Sequence, residues 1–341
     1  MRATRDLSFD EIILVDTEFR SPPGETPEPV CLVAHELWSG RRHRYWASEL
    51  GSEPPFLTGS STLVVAYYAV AELSFFLAMD WPMPANICDL YVEFRGAFNG
   101  RRPPAGFGLA GACTALGVAG LDMMEKDAMR DLILHRVDYT AGQREAILDY
   151  CASDVDALER LFRRMGPSLN YRYALLRGDY LRVVAAMERR GIPIDLELLE
   201  AMRIGRSQIV NSLISRADTL GLYDGTSFRT ARLEEYLARS GAADAWPRTP
   251  TGRVSLSSET FDGMSRVLPE LRPVARLRKD LDQLRLDDIE VGRDGRNRTM
   301  TSPFGTVTSR NQPGTTKYIF SAARWKRGLI RPEQGVNAHP C

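Results

Sequence analysis

The spacing of apolar and polar positions changes period along the chain, and the changes mark out its elements. Ile12-Ile13-Leu14-Val15 is a short, unbroken, mostly β-branched run. Such a run suits a strand buried on both faces. It leads directly into Asp16-Thr17-Glu18-Phe19, and a turn rich in Pro and Gly follows. Residues 30–37 and 42–46 read as a hairpin across Ser39-Gly40, and residues 61–67 as a fourth strand. A helix is expected over 70–79, ending before Trp81-Pro82, then a short strand over 87–90 and a helix over 91–98. Residues 109–119 read as helical, and 141–165 as a long amphipathic helix. Three antiparallel-type strands followed by strand-helix units predict an α/β region, a mixed sheet flanked by helices, over residues 1–168.

From residue 169 the period is helical. Residues 173–190 form one helical stretch stopped by Gly191, and residues 195–220 form another, opened by Pro193-Ile194-Asp195 and stopped by Gly221. Leu175, Leu176, Tyr180, Val183, Val184 and Met187 recur in the first; Leu198, Leu199, Met202, Ile209, Leu213 and Ile214 recur in the second. These stripes predict an antiparallel helix hairpin whose apolar residues are core. Shorter helical pieces follow over 229–240, 258–265 and 269–286. From about Gly295 the pattern turns to Thr, Ser, Gly and basic residues. Three regions result: 1–168, a mainly helical 169–294, and a basic 295–341.

Composition changes this picture only through charge. The formal net charge is zero, yet Arg296, Arg298, Arg310, Lys317, Arg324, Lys326, Arg327 and Arg331 follow Asp294 with no acid among them. The chain before them is net acidic, with 36 Lys and Arg against 43 Asp and Glu. A basic segment behind an acidic body suits a partner that carries phosphate, although a solvated basic surface has the same composition. Five widely spaced cysteines without a CxxC pair argue against structural zinc and a disulfide framework, and fit a reducing cytoplasm. No apolar run is long enough to span a bilayer, and the first residues carry no signal-peptide core.

The candidate chemistry begins with Asp16 and Glu18. Side chains two apart on a strand point to one face, so the two carboxylates project together. Like charges on one face repel, and a divalent metal relieves that repulsion; a solvated strand end is the plain alternative. Tyr150 and Asp154 are four apart on the long helix and share a face. Glu72 falls in a first helical turn, where the helix dipole favours an anion. Asp89, at the end of a short strand, is a further acid within reach.

The order of these groups resembles that of DEDD-type 3′–5′ exonucleases of the ribonuclease H-like fold. A strand-borne Asp-x-Glu comes first, then an acid after a later strand, then Tyr-x-x-x-Asp in a closing helix, over roughly residues 8–165. The tyrosine subclass fits; the histidine subclass needs His at position 149, which is Asp. The family's second motif usually has Asn four residues before Asp, and this chain has Tyr68 and Glu72 instead. The resemblance implies catalytic roles for Asp16, Glu18, Glu72, Tyr150 and Asp154. It implies two Mg²⁺ or Mn²⁺ ions, roughly 3.5–4 Å apart, held by Asp16, Glu18, Glu72 and Asp154. Tyr150 would orient the attacking water, and nucleoside monophosphates would leave from the 3′ end of a single DNA strand.

Residues 173–334 resemble the thumb and early palm of family A (DNA polymerase I-like) DNA polymerases. Met187-Glu188-Arg189-Arg190-Gly191-Ile192-Pro193-Ile194-Asp195 is similar to the lead into the thumb. Pro247-Arg248-Thr249-Pro250-Thr251-Gly252-Arg253-Val254-Ser255-Leu256-Ser257 is similar to a thumb loop, and Arg272 to Leu286 to the helix leading to the palm. Phe304-Gly305-Thr306-Val307-Thr308-Ser309-Arg310-Asn311-Gln312-Pro313 resembles the palm segment that meets primer-template DNA. By that likeness Arg310, Asn311, Gln312, Lys317 and Arg324 are candidate DNA contacts. After Asp294 the one acid is Glu333, so the two palm aspartates that polymerisation needs are not in this sequence. The expectation is a proofreading-type exonuclease joined to an incomplete polymerase. A DNA-binding remnant with weak catalysis and a subunit completed by another chain are the competing readings.

Overall fold

The computed structural model describes residues 9–119, 123–136, 138–284, 286, 289–315, 317–321 and 323–332. The expectations for the opening residues and for the tail from Glu333 to Cys341 lie outside them. The described residues group into two compact units: 1–192 with 290–318, and 193–289 with 319–341.

The first unit is built on a five-stranded mixed sheet. Its strands are β1 (Glu11–Arg20), β2 (Glu28–Glu36), β3 (Arg42–Trp46), β4 (Thr62–Ala66) and β5 (Ile87–Asp89), in the order β3-β2-β1-β4-β5. β1 pairs antiparallel with β2 and parallel with β4; β4 pairs parallel with β5. The apolar run of β1 is fully buried because the strand is central and covered on both faces. Its alternation divides it between two cores. Ile12 and Leu14 join one, with Leu63, Val65 and the long helix; Ile13 and Val15 join the other, with Val64, Ala66, Leu73 and Phe76. A one-residue slip would exchange these faces.

The helices are α1 (Val70–Ala78), α2 (Leu90–Ala97), α3 (Leu109–Ala115), α4 (Met123–His135), α5 (Ala141–Met165) and α6 (Tyr171–Arg190). α5 starts from a capping box. Gln143 N–H donates to Thr140 Oγ1 (3.3 Å), and Thr140 N–H to Gln143 Oε1 (2.9 Å). Its buried face runs through Ile147, Cys151, Asp154, Val155, Leu158, Leu161 and Phe162. The pattern did not mark α4.

The expected helix hairpin is corrected. α6 packs on α1 and β5 of its own unit, and of its six expected core positions only Val184 is buried. Leu176, Tyr180, Val183 and Met187 are exposed; Ala174, Gly178, Leu181 and Ala185 face the sheet. Closeness of approach selects that face. A Cβ at Gly178 would stand 2.2 Å from the Ile87 carbonyl oxygen, so only glycine lets the helix lie on β5. Arg177 then reaches Glu93 with two bonds of 2.7 and 2.6 Å.

The second unit holds α7 (Leu196–Ile204), α8 (Arg206–Ala217), α9 (Thr230–Arg239), α10 (Ser258–Val267) and α11 (Arg272–Gln283). The single helix expected over 195–220 is two, separated at Gly205. The core gathers Val210, Ile214, Leu233, Leu237, Trp246, Phe261, Leu271, Val274 and Leu277. The Trp246 and Phe261 rings meet edge-on at 5.2 Å, and Trp246 Nε1–H donates to the Ser255 carbonyl (3.0 Å). The 3₁₀ turn Arg324–Leu329 returns to α7, where Asp195 N–H donates to the Leu329 carbonyl (2.8 Å). Residues 295–332, expected as one region, are thus divided between the units at Tyr318 and Ile319.

Candidate functional site

The parity that puts Ile12 and Leu14 against α5 also carries Asp16 and Glu18 to that face. β1 continues to Arg20, but its parallel partner β4 covers only Glu11 to Leu14. The two carboxylates therefore lie on a stretch of β1 that outlasts β4. That stretch is the carboxyl edge of the parallel strands, where α/β sheets open a crevice for ligands. α1 and α2 begin just past the ends of β4 and β5.

α5 supplies the third acid. Asp154 occupies a core position on the helix's apolar face, 6% exposed, while Asp16 and Glu18 are half-buried. One carboxylate oxygen from each of the three lies within 4.8 Å of the others. Three anions at that separation repel, and a divalent cation is the group that turns the repulsion into attraction. Tyr150, one turn before Asp154, hydrogen-bonds it. Burial and then the charges of Asp154, Glu18 and Asp16 push its phenol well above the usual range, so it stays a donor.

Glu72 and Asp89 are buried at the same edge and differ in their partners. Glu72 Oε2 makes no hydrogen bond among the described residues. Burial first, and then Asp16, push this carboxyl well above its ordinary range, with Asp89 and Glu18 adding to the effect. Asp89 Oδ1 accepts from the N–H groups of Tyr68 (3.0 Å) and Tyr91 (2.8 Å), and Oδ2 accepts from Ala69 N–H (3.1 Å). Burial raises it to about 6 while those donors pull the other way. Asp89, a candidate acid in the sequence, is thus engaged in capping α2 and fixing the β4–α1 turn. That turn holds Tyr68 at φ +77°, a conformation uncommon for a side chain of this size.

Sequence reasoning missed Cys151. Its Sγ–H lies 3.1 Å from Asp16 Oδ2 and 3.3 Å from the Asp16 carbonyl oxygen. Burial, a hydrogen bond with Cys31 and the nearby Asp16 raise its pKa well above the ordinary value, so the thiol keeps its proton. The one signal was its place inside the Tyr150–Asp154 turn, facing the apolar stripe.

The basic segment is tied down by its backbone. Thr301–Ser302 pairs antiparallel with Gln312–Pro313. Tyr68 OH donates to the Thr301 carbonyl and Arg95 to the Gly305 carbonyl. Tyr91 OH meets Ser302 Oγ at 2.8 Å, and Asn99 donates to the Val307 carbonyl (3.1 Å). Glu188 Oε1 accepts from Thr301 N–H (2.6 Å) and Thr301 Oγ1–H (2.7 Å). Arg310, Gln312 and Lys317 remain exposed in this first unit, with Lys317 paired to Glu290. Asn311 is half-buried, and its Oδ1 makes no hydrogen bond among the described residues. Arg324 is exposed on the 3₁₀ turn of the second unit, so the five candidate DNA contacts do not share one unit. Among the described residues, no helix is long and apolar enough to cross a membrane.

No protein-family model matches the sequence, and no curated protein matches it. The fold is similar to that of the POL domain of Pol1 from M. smegmatis, solved in complex with DNA primer-template and dNTP. The likeness has a TM-score of 0.59 at 14% sequence identity, covering 90% of this chain and 51% of that one. It is a likeness of fold, and the chain spans about half the length of the domain it resembles.

Proposed function

We propose that this chain is a metal-dependent 3′–5′ DNA exonuclease of the proofreading type, attached to the N-terminal part of a family A DNA polymerase. The observation that carries the reading is the convergence of Asp16, Glu18 and Asp154 at one edge of the sheet, with Tyr150 hydrogen-bonded to Asp154. Two elements more than a hundred residues apart supply them in the arrangement that the Asp-x-Glu and Tyr-x-x-x-Asp motifs imply. The strand order β3-β2-β1-β4-β5 suits a ribonuclease H-like exonuclease domain over 1–168. The thumb-like region is 169–294 and the palm-like region 295–341. This partition follows the resemblance, whereas packing groups 171–192 and 290–318 with the sheet.

The donor set is all carboxylate oxygen, which fits Mg²⁺ or Mn²⁺. Asp16, Glu18 and Asp154 would hold one ion, and Asp16 with Glu72 a second. Bound there, such ions polarise the phosphoryl oxygen and make water a nucleophile at neutral pH. The protein's own contribution is positioning. β1 and α5 fix three carboxylates, and Tyr150, donating its phenolic proton to Asp154, would present its oxygen to accept from and orient the attacking water. Arg310, Asn311, Gln312, Lys317 and Arg324 would bind the phosphates of primer-template DNA without reading sequence.

The test is a 3′-labelled single strand incubated with the protein and Mn²⁺ or Mg²⁺, with and without chelator. Metal-dependent shortening that Asp16→Ala abolishes is the expected result. Shortening that persists in Asp16→Ala would remove the site assignment, and none at all would remove the activity. The second reading, a DNA-binding remnant with weak catalysis, is favoured by Tyr68 standing where the family has Asn and spending its phenol on Thr301. It expects salt-dependent binding without cleavage.

A further inference from the structure

We propose that Cys151 is a positioning residue that aims the carboxylate of Asp16, and that it does so without neutralising it. The inference rests on the metal-site reading above and adds a group that the Tyr-x-x-x-Asp motif does not contain. Cys151 is fully buried on α5, between the two motif residues. Its sulfur lies 3.1 Å from Asp16 Oδ2 and 3.3 Å from the Asp16 backbone oxygen, so one thiol spans the side chain and the main chain of the same residue.

The proton's direction follows from the partners. A carbonyl oxygen and an ionised carboxylate only accept. The proton on Cys151 is therefore the one directed at Asp16, and Cys31 lies in hydrogen-bond contact with the same sulfur. Cys31 stands opposite Glu18 in the β1–β2 pairing. The sequence Cys31 to Cys151 to Asp16 thus ties β2, α5 and β1 together behind the carboxylate cluster. Fixing Asp16 at Oδ2 and at its main chain sets the plane of its carboxylate. An Arg or Lys in the same place would fix it too, but would compete with a cation for the charge. A thiol is a weak, uncharged donor and leaves that charge in place.

Manganese binding, read by electron paramagnetic resonance on the full chain, tests the role without relying on cleavage. Cys151→Ala and Cys151→Val remove the donor, one by deletion and the other with the volume filled; both are expected to weaken Mn²⁺ binding about 10-fold. Cys151→Ser restores a donor and is expected within about 3-fold of wild type. Cys113→Ala removes a buried sulfur from the same core away from Asp16 and should leave binding unchanged. Thermal unfolding checks each fold, and if either donor-free variant fails to fold the other carries the test. Wild-type affinity in a folded donor-free variant, or an equal loss in Cys113→Ala, overturns the positioning role. Binding lost in Asp16→Ala while the Cys151 variants match wild type would leave the metal site standing and remove only this inference. A wild type that binds no Mn²⁺ overturns both.

Discussion

Two carboxylates at the carboxyl edge of the sheet, Asp89 after β5 and Glu72 after β4, share burial and diverge in everything else. Asp89 spends both oxygens on three backbone N–H groups and holds the β4–α1 turn and the start of α2. Glu72 leaves one oxygen without a hydrogen bond, beside Asp16 and Glu18. A buried polar atom without a partner costs stability, and a fold tolerates it where something else takes the place of the partner. The difference separates an acid occupied by the backbone from one whose second oxygen is not. Composition and burial alone would have treated them alike.

Asp16→Ala is the harshest test of this division, because it removes one of the three clustered carboxylates, the one that also stands beside Glu72. Metal-dependent shortening of a labelled strand is expected to fall on the order of 10³-fold or more, with the unfolding midpoint little changed. Asp89→Ala should do the reverse. It takes the acceptor from three N–H groups, one buried and two partly buried, and denaturant unfolding should register a loss of about 3 kcal/mol. Glu72→Gln keeps the shape and removes the carboxylate that would hold the second ion; cleavage should drop about 10- to 100-fold while stability holds. If Glu72→Gln unfolds as readily as Asp89→Ala, the distinction between the two acids is gone.

Glu188 sharpens the comparison from between these extremes. One of its oxygens accepts from Thr301 and the other makes no hydrogen bond, and burial raises it from 4.5 to about 7. A carboxyl with a raised folded-state pKa stabilises most when protonated. Its contribution is full below about pH 4.5, erodes as pH rises and is gone above about pH 7, an effect on the order of 3 kcal/mol. Urea unfolding from pH 5 to 8 should show that slope in wild type and a flatter one in Glu188→Gln. The smallest expected effect lies at the exposed cations. Arg310→Ala or Lys317→Ala should weaken DNA binding a few-fold and lower the salt slope by about one each, with cleavage chemistry intact. An unchanged salt slope would remove that residue from the DNA-facing surface.

Most of the sheet was legible in the sequence. The run Ile12 to Val15 is the central strand, the hairpin turns at Ser39-Gly40, and α5 has the expected bounds of 141–165. Alternation by two and repetition near 3.6 are imposed by the backbone itself, so they survive in the letters. The same alternation made Asp16 and Glu18 readable as a same-face pair, and the helical repeat did so for Tyr150 and Asp154. α6 was read correctly as a helix and wrongly as to its face. Two apolar stripes compete on it, and Gly178 against Ile87 decides between them at a distance the sequence does not contain. Gly205 was read as helix interior and instead separates α7 from α8.

The sequence by itself therefore determined the elements, the parity that gathers Asp16 and Glu18, and the motif that brings Tyr150 and Asp154 to one side of a helix. These are short-range properties, fixed by covalent geometry within a few residues. Only the tertiary structure decided that Asp154 meets Asp16 and Glu18 within 4.8 Å, and that Asp89 is satisfied while Glu72 Oε2 is not. It alone revealed that Cys151 points at Asp16 and that residues 290–318 pack with the sheet rather than with the segment that follows them. The physical reason is common to all of these. Whether a buried polar atom finds a partner depends on which distant segment folds against it, and no local pattern carries that information.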